Sequence, residues 1–282
     1  MIIATDLDGT LISSDTSISN ENLGAIKRLF EYGAHIVLVT GRTFYEILPQ
    51  LTDCPYIDYF VYSNGACIYK QGSGLVFSNC MPAADAKKIY DILSSYETFI
   101  ELYTNGKPLV DQAKFCDCGF ERYKISKQFL PELKRSRIPV KNLDFAMLEN
   151  AAYIEMFDVF FASMQERAEC RKRIETEFPD FQITTSLDNN LEVMNSGVNK
   201  GTGIKKLCEK AGYKLDDIVA FGDSKNDITM FETVKNSYAV SNACNELKEI
   251  SKGIACSNDE NIMLWAENEF YGSKVVWMRF IF

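Results

Sequence analysis

A single histidine stands in 282 residues, and no apolar run is long enough to cross a bilayer. With so little histidine, dyad-type phosphate transfer and most zinc hydrolysis are excluded, and His35, just ahead of an apolar run, reads as a structural residue. Cations are the minority: 30 Lys and Arg face 39 Asp and Glu, a formal charge of −9. A field of that sign repels polyanions, which excludes a nucleic-acid partner. It leaves room for a small phosphorylated metabolite met locally by a few cations and a metal. Between Met1 and Asp6 there is neither a basic segment nor an apolar stretch of signal-peptide length, so the reading is a cytoplasmic protein with no membrane contact. Disulfide framework spacing is missing too. The nine cysteines lie scattered singly apart from Cys116 and Cys118, which implies reduced thiols, most of them in the core.

What is present describes a folded chain, with 46% hydrophobic and 24% charged residues and a length suited to one large or two moderate domains. Apolar runs at Ile2 to Leu7, Ile36 to Val39 and Tyr59 to Tyr62 read as buried strands. They alternate with helical patterns over Asn20 to Tyr32 and Thr43 to Leu51. This βα rhythm predicts an α/β fold with a doubly wound parallel sheet. After Pro82 the rhythm changes to a helix near Ala83 to Ser95, an alternating strand Thr98 to Tyr103, a turn at Asn105-Gly106 and a strand at Tyr153 to Phe157. A helix capped by Ser163 and Glu166 and a strand pair at Phe181 to Thr185 and Asn190 to Met194 follow. The βα rhythm returns with the helix Lys200 to Ala211, the strand Ile218 to Phe221 and a helix over Ile228 to Val234. Residues 1–81 and 188–282 are therefore expected to form one core, split by an inserted α+β domain at 82–187. The stretch from Phe129 to Leu143, with two prolines and a basic cluster, reads as a solvated loop.

The chemistry gathers where predicted strands end. Asp6 and Asp8 leave the first strand beside Gly9, whose flexibility eases the turn that would bring both carboxylates toward one point. Asp223 and Asp227 leave a later strand. Carboxylates so close require a cation between them, and oxygen-only ligands suit Mg²⁺ rather than Zn²⁺. Thr40-Gly41-Arg42 supplies donors for a phosphate, and Lys200 a fixed positive charge near helix N-terminal amides.

Asp6-Leu7-Asp8-Gly9-Thr10-Leu11, Thr40-Gly41-Arg42, Lys200-Gly201 and Gly222-Asp223-Ser224-Lys225-Asn226-Asp227 resemble, in order, the four motifs of the haloacid dehalogenase superfamily. Ser63-Asn64-Gly65-Ala66, the insertion after Pro82 and Leu191-Glu192-Val193 look more narrowly like its Cof-type phosphatases, which carry a large α/β cap. The resemblance spans residues 1 to about 250. It implies Asp6 as nucleophile and Asp8 as general acid and then base, and Leu7, Thr40, Gly41, Lys200 and Asn226 around the phosphoryl oxygens. Arg42 and Asn64 would touch the substrate. Mg²⁺ would be held by Asp6, the Asp8 carbonyl and Asp223, with Asp227 or Asn226 in support. The expected activity is hydrolysis of a sugar phosphate or a phosphorylated cofactor. A phosphomutase on the same scaffold and a non-catalytic phosphate sensor are the alternatives. Asn261 stands where relatives often show Gly, and the apolar tail from Val275 to Phe282 suggests docking on the core or on a partner.

Rival motifs are weaker. Cys116 to Arg122 has the spacing of a cysteine-phosphatase loop, but Asp117 and Glu121 within it would repel a dianion. Cys116 and Cys118 as a zinc half-site lack partners to complete the ligands. Tyr103, Tyr123, Tyr153 and Phe157 read either as lining of a substrate pocket or as cap core. Neither the substrate's identity nor the oligomeric state is written in these motifs.

Overall fold

A computed structural model describes residues 1–278, with side chains through 272 apart from Gln128, and the expectation for the tail at 275–282 concerns side chains that lie outside those described. Ile2–Thr5 is buried at every position and pairs in parallel with His35–Val39 on one side and Ile218–Gly222 on the other. Chain connections run outward in opposite directions from these central strands, which makes their carboxyl ends the switch point where α/β sheets hold ligands. The eight-stranded sheet is parallel through Tyr59–Tyr62 and closes with an antiparallel hairpin, Cys67–Lys70 and Gly74–Ser78, absent from the sequence reading.

Local chemistry sets the helices. Ser19 caps Asn20–Glu31 by accepting from the Asn22 amide, and Gly212 ends Lys200–Ala211 in the left-handed conformation. The helix expected over Thr43 to Leu51 is broken into Phe44–Glu46 and Pro49–Thr52, because Pro49 pushes Leu48 to an extended ψ of 134°.

A six-stranded sheet forms the second layer, in the order Gln182–Thr184, Asn190–Met194, Ile154–Phe161, Thr98–Thr104, Lys107–Asp111 and Ile138–Val140. Its strand Asn190–Met194 pairs with Ile154–Phe161, so the sheet runs past the boundary drawn at 187. The stretch read as a solvated loop instead holds the helix Leu130–Ser136 and the strand Ile138–Val140. Its prolines are compatible with both: Pro131 occupies the first turn, where its missing N–H costs nothing, and Pro139 lies on an edge strand. One face of the second sheet packs Ile100, Leu102, Phe157, Val159, Leu191 and Val193 against its helices. The other meets the first layer through Tyr62, Ala66, Tyr103, Met156, Met194 and Val198. Four of the free cysteines, Cys54, Cys67, Cys170 and Cys208, are buried; the others are half-buried or, for Cys118, exposed, fewer in the core than composition suggested. Among the described residues no helix is long and apolar enough to cross a membrane.

Candidate active site

Asp6 follows the central strand directly, and its amide donates to the Phe221 carbonyl at 3.0 Å, tying it to the strand that releases Gly222 and Asp223. Gly9 has φ +69°, and a Cβ there would sit 2.4 Å from Asp223 Oδ2. Only glycine lets the loop after Asp8 lie against that carboxylate. Lys200 enters from the first turn of its helix, where Asn199 caps by accepting from the Thr202 amide at 2.9 Å. Its side chain is 1% exposed, and Nζ donates at 2.7 Å to both Asp6 Oδ1 and Asp227 Oδ1. Asp227 Oδ2 accepts from the amides of Asp223 and Ser224, each at 3.0 Å. Carboxylate oxygens of Asp6, Asp223 and Asp227 come within 4.8 Å of one another.

Burial pushes the Asp6 carboxyl well above its ordinary pKa; the Lys200 charge opposes this, while Asp227, Asp223 and Asp8 add to it. Burial, reinforced by Asp227, likewise pushes Asp223 up to about 7. Lys200 moves the other way: burial would lower its pKa, but Asp227 and Asp6 outweigh burial and raise it, so the ammonium stays charged. One ammonium among these carboxylates leaves negative charge uncompensated, and Asp223 Oδ1 is buried without a hydrogen-bond partner. An orphaned carboxylate oxygen in an all-oxygen donor set fits a hard divalent cation such as Mg²⁺.

The second half of the site lies one strand over. Thr40 follows His35–Val39, and its Oγ1 accepts from the Arg42 amide at 3.1 Å while its carbonyl accepts from the Asn64 amide at 3.0 Å. Asn64 (φ +53°) donates to Glu192 Oε2 at 2.8 Å, lies within van der Waals reach of a Cβ built on Gly41, and accepts from Asn226 Nδ2 at 3.3 Å. Thr40, Gly41, Asn64 and Asn226 are thus linked. Leu7 is wholly buried, so it can contribute only through its backbone. Asp8 is not part of the three-carboxylate group; its side chain is 56% exposed and is held by Arg42, itself 8% exposed. Crowding around Asp8 raises its pKa, but the Arg42 charge and hydrogen bonds outweigh it and leave the carboxyl below its usual range.

Glu46, Glu101, Glu132, Arg137 and Asp158 escaped the sequence reading, which had named Arg42 and quoted Glu192 only within a motif. Arg42 also pairs with Glu132 of the second layer, and Arg137 bridges Glu46 of the first layer to Glu101 of the second. Strand register places Glu192 beside Asp158 and Asp158 beside Glu101. The available signal was a lone acid inside an apolar strand, as in Phe157-Asp158-Val159 and Leu191-Glu192-Val193. Of the aromatics, Tyr103, Tyr123 and Phe157 are buried core, and Tyr153 is 55% exposed. Cys116 precedes the short helix Asp117–Arg122, and Arg122 pairs with Glu97 at the surface, so no cysteine-centred phosphate loop forms. His35 lies on the surface beside Asp58, at 3.3 Å.

A family model for haloacid dehalogenase-like hydrolase matches residues 3–264. The chain is 29% identical over 272 residues to the 5-amino-6-(5-phospho-D-ribitylamino)uracil phosphatase YwtE of Bacillus subtilis, covering 92% of this chain and 94% of that one. It is 26% identical to the phosphatase YwpJ of the same organism, covering 92% and 96%. A haloacid dehalogenase-like hydrolase from Bacteroides thetaiotaomicron superposes with a TM-score of 0.80 at 20% identity over 96% of this chain and 99% of that one. The subclass IIB sugar phosphatase BT4131 does so at 0.76 and 22% over 95% and 98%. With the ordered motifs brought to one sheet edge and the family matched over nearly the whole chain, this protein belongs to the haloacid dehalogenase-like hydrolases of the Cof type, and it is a phosphatase.

Proposed function

We propose that the chain hydrolyses the monoester of a small phosphorylated metabolite, a sugar phosphate or a phosphorylated cofactor, through an aspartyl phosphate on Asp6 with Mg²⁺ as cofactor. The observation that carries this reading is Lys200 joining Asp6 to Asp227 with Asp223 alongside. Asp6, fixed by Lys200 through Oδ1, attacks phosphorus. Lys200, the Thr40 hydroxyl, the Leu7 and Gly41 amides and Asn226 hold the phosphoryl oxygens, because phosphoryl transfer needs positioning and charge neutralisation above all. Asp8 gives its proton to the departing oxygen and then takes one from the water that opens the aspartyl phosphate. Mg²⁺, held by Asp6, the Asp8 carbonyl and Asp223 with Asp227 in support, would supply the positive charge that lets a carboxylate approach a dianion.

The leaving group would lie toward Glu101, Asp158 and Glu192, with Arg42 and Asn64 at its edge. Glu101 is taken by Arg137, but Asp158 and Glu192 beside it can accept from hydroxyls and disfavour a second anion, which favours a hydroxyl-rich leaving group over one bearing a second phosphate or carboxylate. The relative YwtE is named for a substrate with a phosphorylated ribityl chain, which is of this kind. The test is acid quenching of a turnover mixture, borohydride reduction and mass mapping: reduction of an aspartyl phosphate at position 6 leaves homoserine there. Turnover with position 6 always recovered as aspartate would refute the mechanism.

A further inference from the structure

Both oxygens of Asp8 are engaged by one guanidinium, Arg42 Nε to Oδ2 at 2.7 Å and Nη2 to Oδ1 at 2.6 Å. Arg42 also donates from Nη1 to the Glu46 carbonyl at 2.9 Å. Glu132 takes further contacts, with Oε1 2.5 Å from Nη1 and Oε2 3.1 Å from Nη2. The Nη2 group, with two N–H donors, therefore serves two carboxylates at once, Asp8 from the nucleophile's loop and Glu132 from the helix Leu130–Ser136 of the second layer, so Glu132 is already in place as Arg42's second anchor. Arg137, next after that helix, pins it to the first layer, with Nη1 2.5 Å from Glu46 Oε1 and Nη2 2.8 Å from Glu101 Oε2.

An acid that protonates an ester oxygen must offer it an oxygen of its own, and Asp8 has none to offer while Arg42 keeps both. Arg42 cannot simply let go, since a buried cation without a partner is costly. We propose that Glu132 is a positioning residue that takes Arg42 over as substrate arrives and so releases one oxygen of Asp8 toward the leaving group. The inference rests on the reading of Asp8 as the acid of the phosphatase. Freed from the guanidinium, Asp8 takes a proton from water and passes it to the ester oxygen as that oxygen's bond to phosphorus breaks and the bond from Asp6 forms; Glu132 exchanges only hydrogen bonds. The acid is then available only with the helix Leu130–Ser136 seated over the site.

Leaving-group dependence separates this role from a structural one. Glycerol 2-phosphate needs a proton on its departing alkoxide, whereas 2,4-dinitrophenyl phosphate departs as a stable phenolate. Glu132→Gln should lower kcat/KM for the alkyl ester by about 10²-fold and for the aryl ester by no more than about 2-fold, general-acid help being confined to the first. Equal falls for both esters, or none in either, overturn the inference alone. In an Arg42→Met background Asp8 has nothing to be released from, so Glu132→Gln should not change the ratio of the two esters, and a further drop there overturns the inference as well. Glu132→Asp keeps the charge but draws it back; it should recover part of the alkyl activity, and it stands in should the Gln variant fail to fold. A wild-type enzyme that turns over neither ester overturns the phosphatase reading and this inference together.

Discussion

Withdrawing the divalent cation should make the fold itself sensitive to pH. Burial and the neighbouring Asp227 move the Asp223 carboxyl from 3.8 to about 7 in the folded chain. Between those values the folded state binds a proton that the unfolded state has lost, so the metal-free protein is most stable below the unfolded value and loses that stability as pH rises through about 7. Three pKa units at 1.36 kcal/mol each amount to at most about 4 kcal/mol, a large share of the 5–15 kcal/mol that holds a domain together. Asp6, also raised, acts in the same direction. Mg²⁺ bound at these carboxylates would replace the proton, and its stabilisation should grow with pH as binding ceases to compete with protonation. The assay is urea unfolding in EDTA and in saturating Mg²⁺ from about pH 5 to about pH 8, where the gap between the curves should widen as pH rises through about 7. A gap of constant size across that range, or none, would refute the assignment of these residues to a metal.

Asp6→Asn should abolish turnover, by about 10⁴-fold or more, while far-UV circular dichroism stays that of the wild type. Lys200→Met leaves Asp6 and Asp227 without their ammonium and should cost about 3–5 kcal/mol in metal-free urea unfolding, part of it recovered when Mg²⁺ is added. Gly9→Ala places a Cβ against Asp223 at φ +69°; with strain of about 1–2 kcal/mol, the Mg²⁺ concentration for half-maximal activity should rise several-fold with the fold retained. An unchanged Mg²⁺ requirement would show that the loop does not set the position of Asp223.

The parts of the fold legible in sequence were those fixed by local rules. Apolar runs gave the central strands, and the helices Asn20–Glu31 and Lys200–Ala211 lie where the spacing of their apolar residues placed them. Asn261, noted as a departure from glycine, sits at φ +65°, a conformation asparagine tolerates, and its Oδ1 accepts from Ser19 Oγ at 2.5 Å. The helix across Pro49 failed because one proline outweighs the apolar spacing around it. The hairpin at Cys67–Ser78 and the elements from 130 to 140 were missed, since short segments with Gly or Pro look like loops until a neighbouring strand or an ion pair fixes them.

The same contrast runs through the site, and it follows from what each half must do. Phosphoryl transfer makes one set of demands on any substrate, a carboxylate nucleophile, a fixed cation and oxygen ligands, so the residue types and their places at strand ends are visible in short motifs. The side facing the leaving group has no such fixed requirement. Glu101, Asp158 and Glu192 are far apart in the chain and become neighbours only because three strands pair in one register, and a shift of that register by one residue would turn their side chains to the opposite face. Arg42 belongs to both halves: its motif position was legible, but its partner Glu132, on a helix that the sequence hid, is known only once the two layers meet. On the proposed reading, the leaving-group contacts therefore depend on strand register and layer packing, whereas the residues proposed for the chemistry are written in motifs.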